Sequence, residues 1–139
     1  MRIRVVLAVS LLLAACGGIS FENQNAVEGT YTLRSVNGQP LPLALNDRPV
    51  QFTVASGTLT LTASGAWSEV LTGTSIENGQ TVSRQLTEGG SWTLQHPHVE
   101  LVRADGYLTY FGDFSVLSGP KLDLQRPVYS TVARYIYAR

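Results

Sequence analysis

Residues 58–67 read Thr-Leu-Thr-Leu-Thr-Ala-Ser-Gly-Ala-Trp, and this stretch decides the fold class. Threonine and leucine alternate strictly over 58–62, the period of a strand with one face in a core and the other in water. Ala63-Ser64-Gly65 then supplies a three-residue loop, with glycine where a left-handed backbone is needed. That loop returns the chain so that Leu61 faces Trp67 and the apolar side stays continuous across the turn.

The same test extends outward in both directions. A two-residue loop at Ser56-Gly57 is predicted to set Val54 against Leu59 and Phe52 against Leu61. A turn on Asn78-Gly79 sets Leu71 against Leu86, and a three-residue loop Glu88-Gly89-Gly90 sets Leu86 against Trp92. A turn across Gln95-His96-Pro97-His98 sets Trp92 against Leu101, and one at Asp105-Gly106 sets Leu101 against Tyr110. With Tyr31–Val36, Lys121–Leu124 and Val132–Ala138 the chain has eight to ten strands and no segment of sustained helical period. A twisted meander of that size closes on itself and removes its edges. The predicted fold is all-β, a single antiparallel up-and-down barrel.

Composition agrees and excludes several functions. The 139 residues suffice for one domain, with 44% hydrophobic and 14% charged, which argues for a packed core and against disorder. Ten Lys+Arg balance ten Asp+Glu, so no excess charge draws the chain to nucleic acid. A single cysteine, Cys16, excludes an internal disulfide and a cysteine metal cluster.

The N-terminus reads as an address. Arg2 and Arg4 precede an apolar run from Val5 to Ala15, too short to cross a bilayer as a helix and followed by Cys16-Gly17-Gly18. Leu13-Ala14-Ala15-Cys16 resembles a bacterial lipobox. That resemblance implies cleavage before Cys16, a diacylglycerol on its sulfur and an acyl group such as palmitate on the new amino terminus. Two or three chains hold a protein to a membrane where one holds it only marginally. Gly17, where an acidic residue is absent, implies by the same resemblance the outer membrane, facing the periplasm. Residues 1–15 are thus expected to be a signal peptide, 16–28 the lipidated cysteine and a polar tether, and 29–139 the barrel. Losing Arg2 and Arg4 leaves a slight acidic excess, so the acyl chains and not charge would hold the domain.

From Gly29 the chain resembles small bacterial lipocalin-like (calycin-type) lipoproteins. Gly29-Thr30-Tyr31 is similar to the Gly-x-Trp element of the first lipocalin strand, with Tyr for Trp, and the resemblance continues through Asn37-Gly38-Gln39-Pro40-Leu41-Pro42. The end Arg134-Tyr135-Ile136-Tyr137-Ala138-Arg139 resembles the terminal strand whose arginine packs over that aromatic at the closed end. The resemblance implies that the barrel holds a small apolar molecule.

Three charged residues fall on the inferred inner face: Glu69, Arg84 and Arg103. A charge inside a barrel is costly unless paired, hydrated or meeting a ligand. Arg84 lies opposite Gly73, and a guanidinium there either grips a carboxylate or phosphate in two prongs or snorkels to the rim. Glu69 falls opposite Glu88 and out of line with Arg84, while Arg103 sits at the rim beside Asp105-Gly106. Trp67, Leu86, Trp92 and Tyr110 either line a cavity or fill it. His96, His98 and Glu100 alternate like a metal triad, but Pro97 places the histidines in a turn, so no metal and no cofactor is expected. No Gly-x-Ser-x-Gly elbow is present, and no enzymatic role is expected.

Two functions stay open. The first is a monomeric lipid-anchored protein holding a small hydrophobic or amphipathic ligand through Arg84, Trp67, Trp92, Tyr110, Leu86 and Glu69. The second is an envelope lipoprotein with a filled barrel that meets a protein partner through its surface, with Asn37–Arg48 and Gly112–Pro127 as contact regions.

Overall fold

The structure, a computed structural model, describes residues 24–45, 51–128 and 131–139. Cys16, residues 1–15 expected as a signal peptide, and the end of the Asn37–Arg48 connection lie outside the described residues. One turn of helix, α1 (Gln24–Val27), precedes ten strands: β1 (Gly29–Val36), β2 (Gln39–Pro40), β3 (Leu43–Leu45), β4 (Phe52–Leu61) and β5 (Ala66–Glu77). They continue as β6 (Gln80–Gln95), β7 (His98–Arg103), β8 (Thr109–Ser115), β9 (Lys121–Val128) and β10 (Thr131–Ala138).

Sequential antiparallel pairing runs from β4 to β10, β10 pairs with β1, and β1 pairs back onto β4 through Tyr31↔Leu59 and its neighbours. The result is a closed eight-stranded up-and-down barrel, as the alternation predicted. Above that closure β1 and β4 part, and the short β2 and β3 pair with each of them in turn.

Alternation does the sorting. On β5 the side chains of Trp67, Glu69, Leu71 and Ser75 are buried, while Ala66, Ser68 and Thr72 face water. Tyr31, Leu59, Leu101, Leu122, Leu124, Tyr135 and Tyr137 are all fully buried in one continuous core. Each of these larger side chains contributes about 1.5–3 kcal/mol by leaving water, which is what makes the register expensive to slip.

Four expected turns form, with the cross-strand partners read from the sequence. They set Leu61↔Trp67, Leu71↔Leu86, Trp92↔Leu101 and Leu101↔Tyr110. Asn78 and Gly79 both take positive φ, 50° and 77°, the backbone that a two-residue hairpin turn needs.

Two expected turns do not form. β4 runs straight through Ser56-Gly57 with a bulge between Val54 and Ser56, so Val54 faces Gly73 and not Leu59. Glycine serves close approach there: a Cβ on Gly57 would lie 2.6 Å from Leu71 Cδ2 and 3.1 Å from Leu33 Cβ. Likewise Glu88-Gly89-Gly90 is interior to the 16-residue β6, so Leu86 and Trp92 belong to one strand. Gly90 pairs with Trp67 on one side and Arg103 on the other, and a Cβ on it would stand 1.9 Å from the Val102 carbonyl oxygen. A dipeptide that permits a turn also permits close approach, of side chains at Gly57 and of backbone at Gly90.

The stretch expected as a tether also differs at its end. Val27 is fully buried, the Tyr31 hydroxyl donates to its carbonyl, and Arg139 donates to the Ala26 and Glu28 carbonyls at 2.6 Å each. Residues 24–28 are thereby part of the body, closing the end of the barrel where β1 begins and β10 finishes. Of the contact regions expected on the surface, Gly112–Pro127 is mostly wall, with β8 and β9 flanking a short connection at 116–120.

Candidate functional site

β9 alternates Leu122, Leu124, Arg126 toward the core, and this places an arginine in the middle of the barrel with 3% exposure. Its Nη2 donates to Glu69 Oε1, the same oxygen that accepts from the Tyr137 hydroxyl. Nη1 lies 3.6 Å from Glu88 Oε2, which accepts from the Tyr110 hydroxyl at 2.8 Å. The guanidinium also sits 4.6 Å from the Tyr110 ring centroid and 4.3 Å from that of Tyr135. Five strands, β5, β6, β8, β9 and β10, thus converge on one cation.

The electrostatics favour one protonation state for the arginine and for two of the phenols. Burial pushes the Tyr110 phenol from 10.0 to about 12, with Arg126 opposing and Glu88 assisting. Tyr137 is likewise raised well above 10.0, first by burial and then by the Glu69 charge. Both phenols therefore stay protonated and donate. Burial works against the charged form of Arg126, the Glu69 carboxylate beside it opposes that cost, and its pKa stands above the usual value. Arg126 Nε finds no hydrogen-bond partner among the described residues. The second carboxylate is tolerated because Glu88 keeps 17% of its side chain in water. This cluster ties the wall together and leaves no prong of Glu69 Oε1 or of the Nη2 donor aimed at open space.

The residues expected at a ligand site are placed as follows. Glu69 and Glu88 are cross-strand partners, as the register implied, but the cation that meets them is Arg126. Arg84 does face Gly73, yet its side chain is half exposed where β5 and β6 project past the rest of the wall. There it forks onto Glu77, with Nε 2.8 Å from Oε1 and Nη2 2.6 Å from Oε2, and Ser75 adds a bond to the same carboxylate. That contact holds the Glu77 carboxyl below its usual pKa. Trp67 and Trp92 are buried and donate their indole N–H groups at 3.0 Å to the Val102 and Thr62 carbonyls. Tyr110 meets Trp67 edge-on at 5.9 Å, and Leu86 packs partly buried against the core. These side chains fill the interior at their level. Arg103 pairs with Asp105 at the rim, and His98 opens β7 with Nδ1 2.7 Å from Asp113 Oδ1. No group of three His, Cys, Asp or Glu among the described residues is placed to hold a metal.

Concavities among the described residues lie elsewhere. One, of about 350 Å3, is on the outer wall beside His98, Glu100, Phe111 and Asp113. Another, of about 240 Å3, lies where β1 and β4 part, lined by Val36, Leu43, Leu45, Ala133 and Tyr135 among others. At the opposite, closed end the Arg139 guanidinium stacks 4.9 Å from the Tyr31 ring centroid.

The strand expected at Lys121–Leu124 stops two residues short of Arg126, which β9 includes. Its shared parity with Leu122 and Leu124 was the available signal. Compared with known protein families, with characterised proteins and with solved structures, the chain matches none.

Proposed function

We propose that this chain is a lipid-anchored envelope protein whose barrel is a rigid platform for a protein partner and not a container. The observation that carries it is the occupied interior: Trp67, Trp92, Tyr110 and the Glu69–Arg126–Tyr137 cluster stand where a central ligand would lie. The anchor rests on the basic start, the short apolar run and Cys16 in its lipobox-like setting, with the outer membrane favoured by Gly17. The lipocalin-like resemblance belongs to the same reading, supported by the Arg139–Tyr31 stack at the closed end.

The β5–β6 hairpin offers the means. β7 pairs with β6 only over residues 90–95, so among the described residues the 80–88 half has β5 on one side and no strand on the other. Trp92 N–H bonds back to Gly65 on the β5 side while the Gly89 carbonyl faces Ala104. The alternation then directs the backbone groups of Thr81, Ser83, Gln85 and Thr87 to the open edge, where an extended segment of a partner adds as a strand. Gln85→Pro removes one such N–H and is expected to keep the fold while abolishing an in-cell photo-crosslink placed at Ser83. Leu86→Pro removes a bond to β5 and is expected to unfold the hairpin. Absence of any discrete crosslinked protein, with a small molecule retained in native mass spectrometry, would overturn the platform reading.

The concavity between β1 and β4 favours one second reading, a small apolar ligand held at the open end by Val36, Leu43, Leu45 and Tyr135. Retention of such a molecule by the wild type and its loss in Ala133→Trp would identify it.

A further inference from the structure

We propose that the connection between β8 and β9, tipped by Val116 and Leu117, rests in the surface of the lipid bilayer and fixes the orientation of the barrel upon it. This builds on the reading of Cys16 as the anchor.

Leu117 is 97% exposed and Val116 49%, the largest pair of adjacent apolar side chains left in water on the described surface. They are not loosely held. The Gly119 N–H bonds to the Val116 carbonyl, and a bridge pairs Leu117 with Gly119, so a tight turn presents both side chains outward. Residues 115–120, Ser-Val-Leu-Ser-Gly-Pro, carry no charge.

Position supplies the occupant. In an antiparallel meander the β8–β9 connection, the 62–65 and 96–97 turns, the start of β1 and the finish of β10 all fall at one end. The chain enters the barrel at that end through α1. Arg139 joins the pieces: its guanidinium holds the carbonyls of residues 26 and 28, and its N–H bonds to the Pro120 carbonyl at 3.0 Å. From Cys16 to Gln24 the chain spans at most about 28 Å when fully extended. An anchored barrel therefore keeps this end near the headgroups at high effective concentration. None of the three connections there contains Asp, Glu, Lys or Arg. The charged pairs Glu77–Arg84 and Arg103–Asp105 stand at the far end, where Tyr107 is 88% exposed. At the near end charge lies on the flanking strand ends, as in the His98–Asp113 pair, Lys121 and Arg139, while the tip itself is uncharged and apolar, the side-chain chemistry that interfacial contact selects.

The test uses the full-length chain purified from membranes and reconstituted into vesicles of phosphatidylcholine with dibrominated acyl chains. In Leu117→Trp the added tryptophan emission is expected to be largely lost relative to unbrominated vesicles, while in Tyr107→Trp it is unchanged. Intact mass of the Cys16 peptide reports separately whether the anchor is present. Quenching of Leu117→Trp without acylation would sink the anchor and spare the loop contact. Leu117→Trp emission no more quenched than that of Tyr107→Trp overturns the contact, whatever the mass at Cys16. Val116→Asp/Leu117→Asp, exposed enough to leave the fold and its near-ultraviolet spectrum unchanged, is expected to abolish burial of a fluorophore attached at Ser118.

Discussion

Arg126 is the residue on which the interior depends, because removing either member of a buried ion pair strands the other. Arg126→Ala is expected to cost about 3–5 kcal/mol in urea unfolding, since Glu69 then sits uncompensated in the core. The double change Glu69→Leu/Arg126→Met should cost far less than the two single losses combined, which a double-mutant cycle reads directly. The phenols give the cluster a pH signature. Tyr110 rises from 10.0 to about 12 and Tyr137 rises well above 10.0, so the folded chain holds protons that the unfolded chain releases. Their contribution is fully present below pH 10.0 and is lost as pH climbs through the folded value. Stability is therefore expected to fall between 10.0 and about 12, with a shallower slope in Tyr110→Phe, measured by phenolate absorbance alongside denaturant melts. Glu69 was legible as an inner-face charge from its place between Trp67 and Leu71. Its partner was not, because Arg126 is 57 residues away and no local pattern links them.

At the scale of the strand, glycine carries two meanings that the sequence does not separate. Asn78-Gly79 and Ala63-Ser64-Gly65 turn the chain, whereas Gly57 makes room for the Leu71 and Leu33 side chains and Gly89-Gly90 lets neighbouring backbones close. The alternation on both sides of Gly57 is compatible with either, since a bulge and a two-residue loop both shift parity. Gly90→Ala meets carbonyl oxygen at 1.9 Å and cannot relax without parting β6 from β7, so it is expected to cost at least about 3 kcal/mol. Gly57→Ala meets the Leu71 side chain at 2.6 Å, which can rotate, and should cost about 1–2 kcal/mol. Equal losses in guanidinium melts would contradict this division.

For the whole molecule, closure is completed by side chains as well as by the β1–β4 ladder. Arg139 reaches past the first strand to α1 and lies on Tyr31, joining the two ends of the described chain. Arg139→Ala is expected to lose about 2–3 kcal/mol, from one cation–ring contact and two charge-assisted bonds, and to expose residues 24–28 to proteolysis while leaving the wall intact. An unaltered cleavage pattern would show that Val27 alone holds the closing segment.

The strict two-residue period of the apolar side chains, with the Asn-Gly and Ala-Ser-Gly turns, determined by itself that the chain is an antiparallel barrel and which side of each strand is oily. What only the tertiary structure decided is which charges meet inside, where β6 leaves its second neighbour, and that the aromatics fill the centre. Those outcomes depend on the stagger accumulated around the closed wall, a sum over all eight strands, whereas the period is set by each residue and the next.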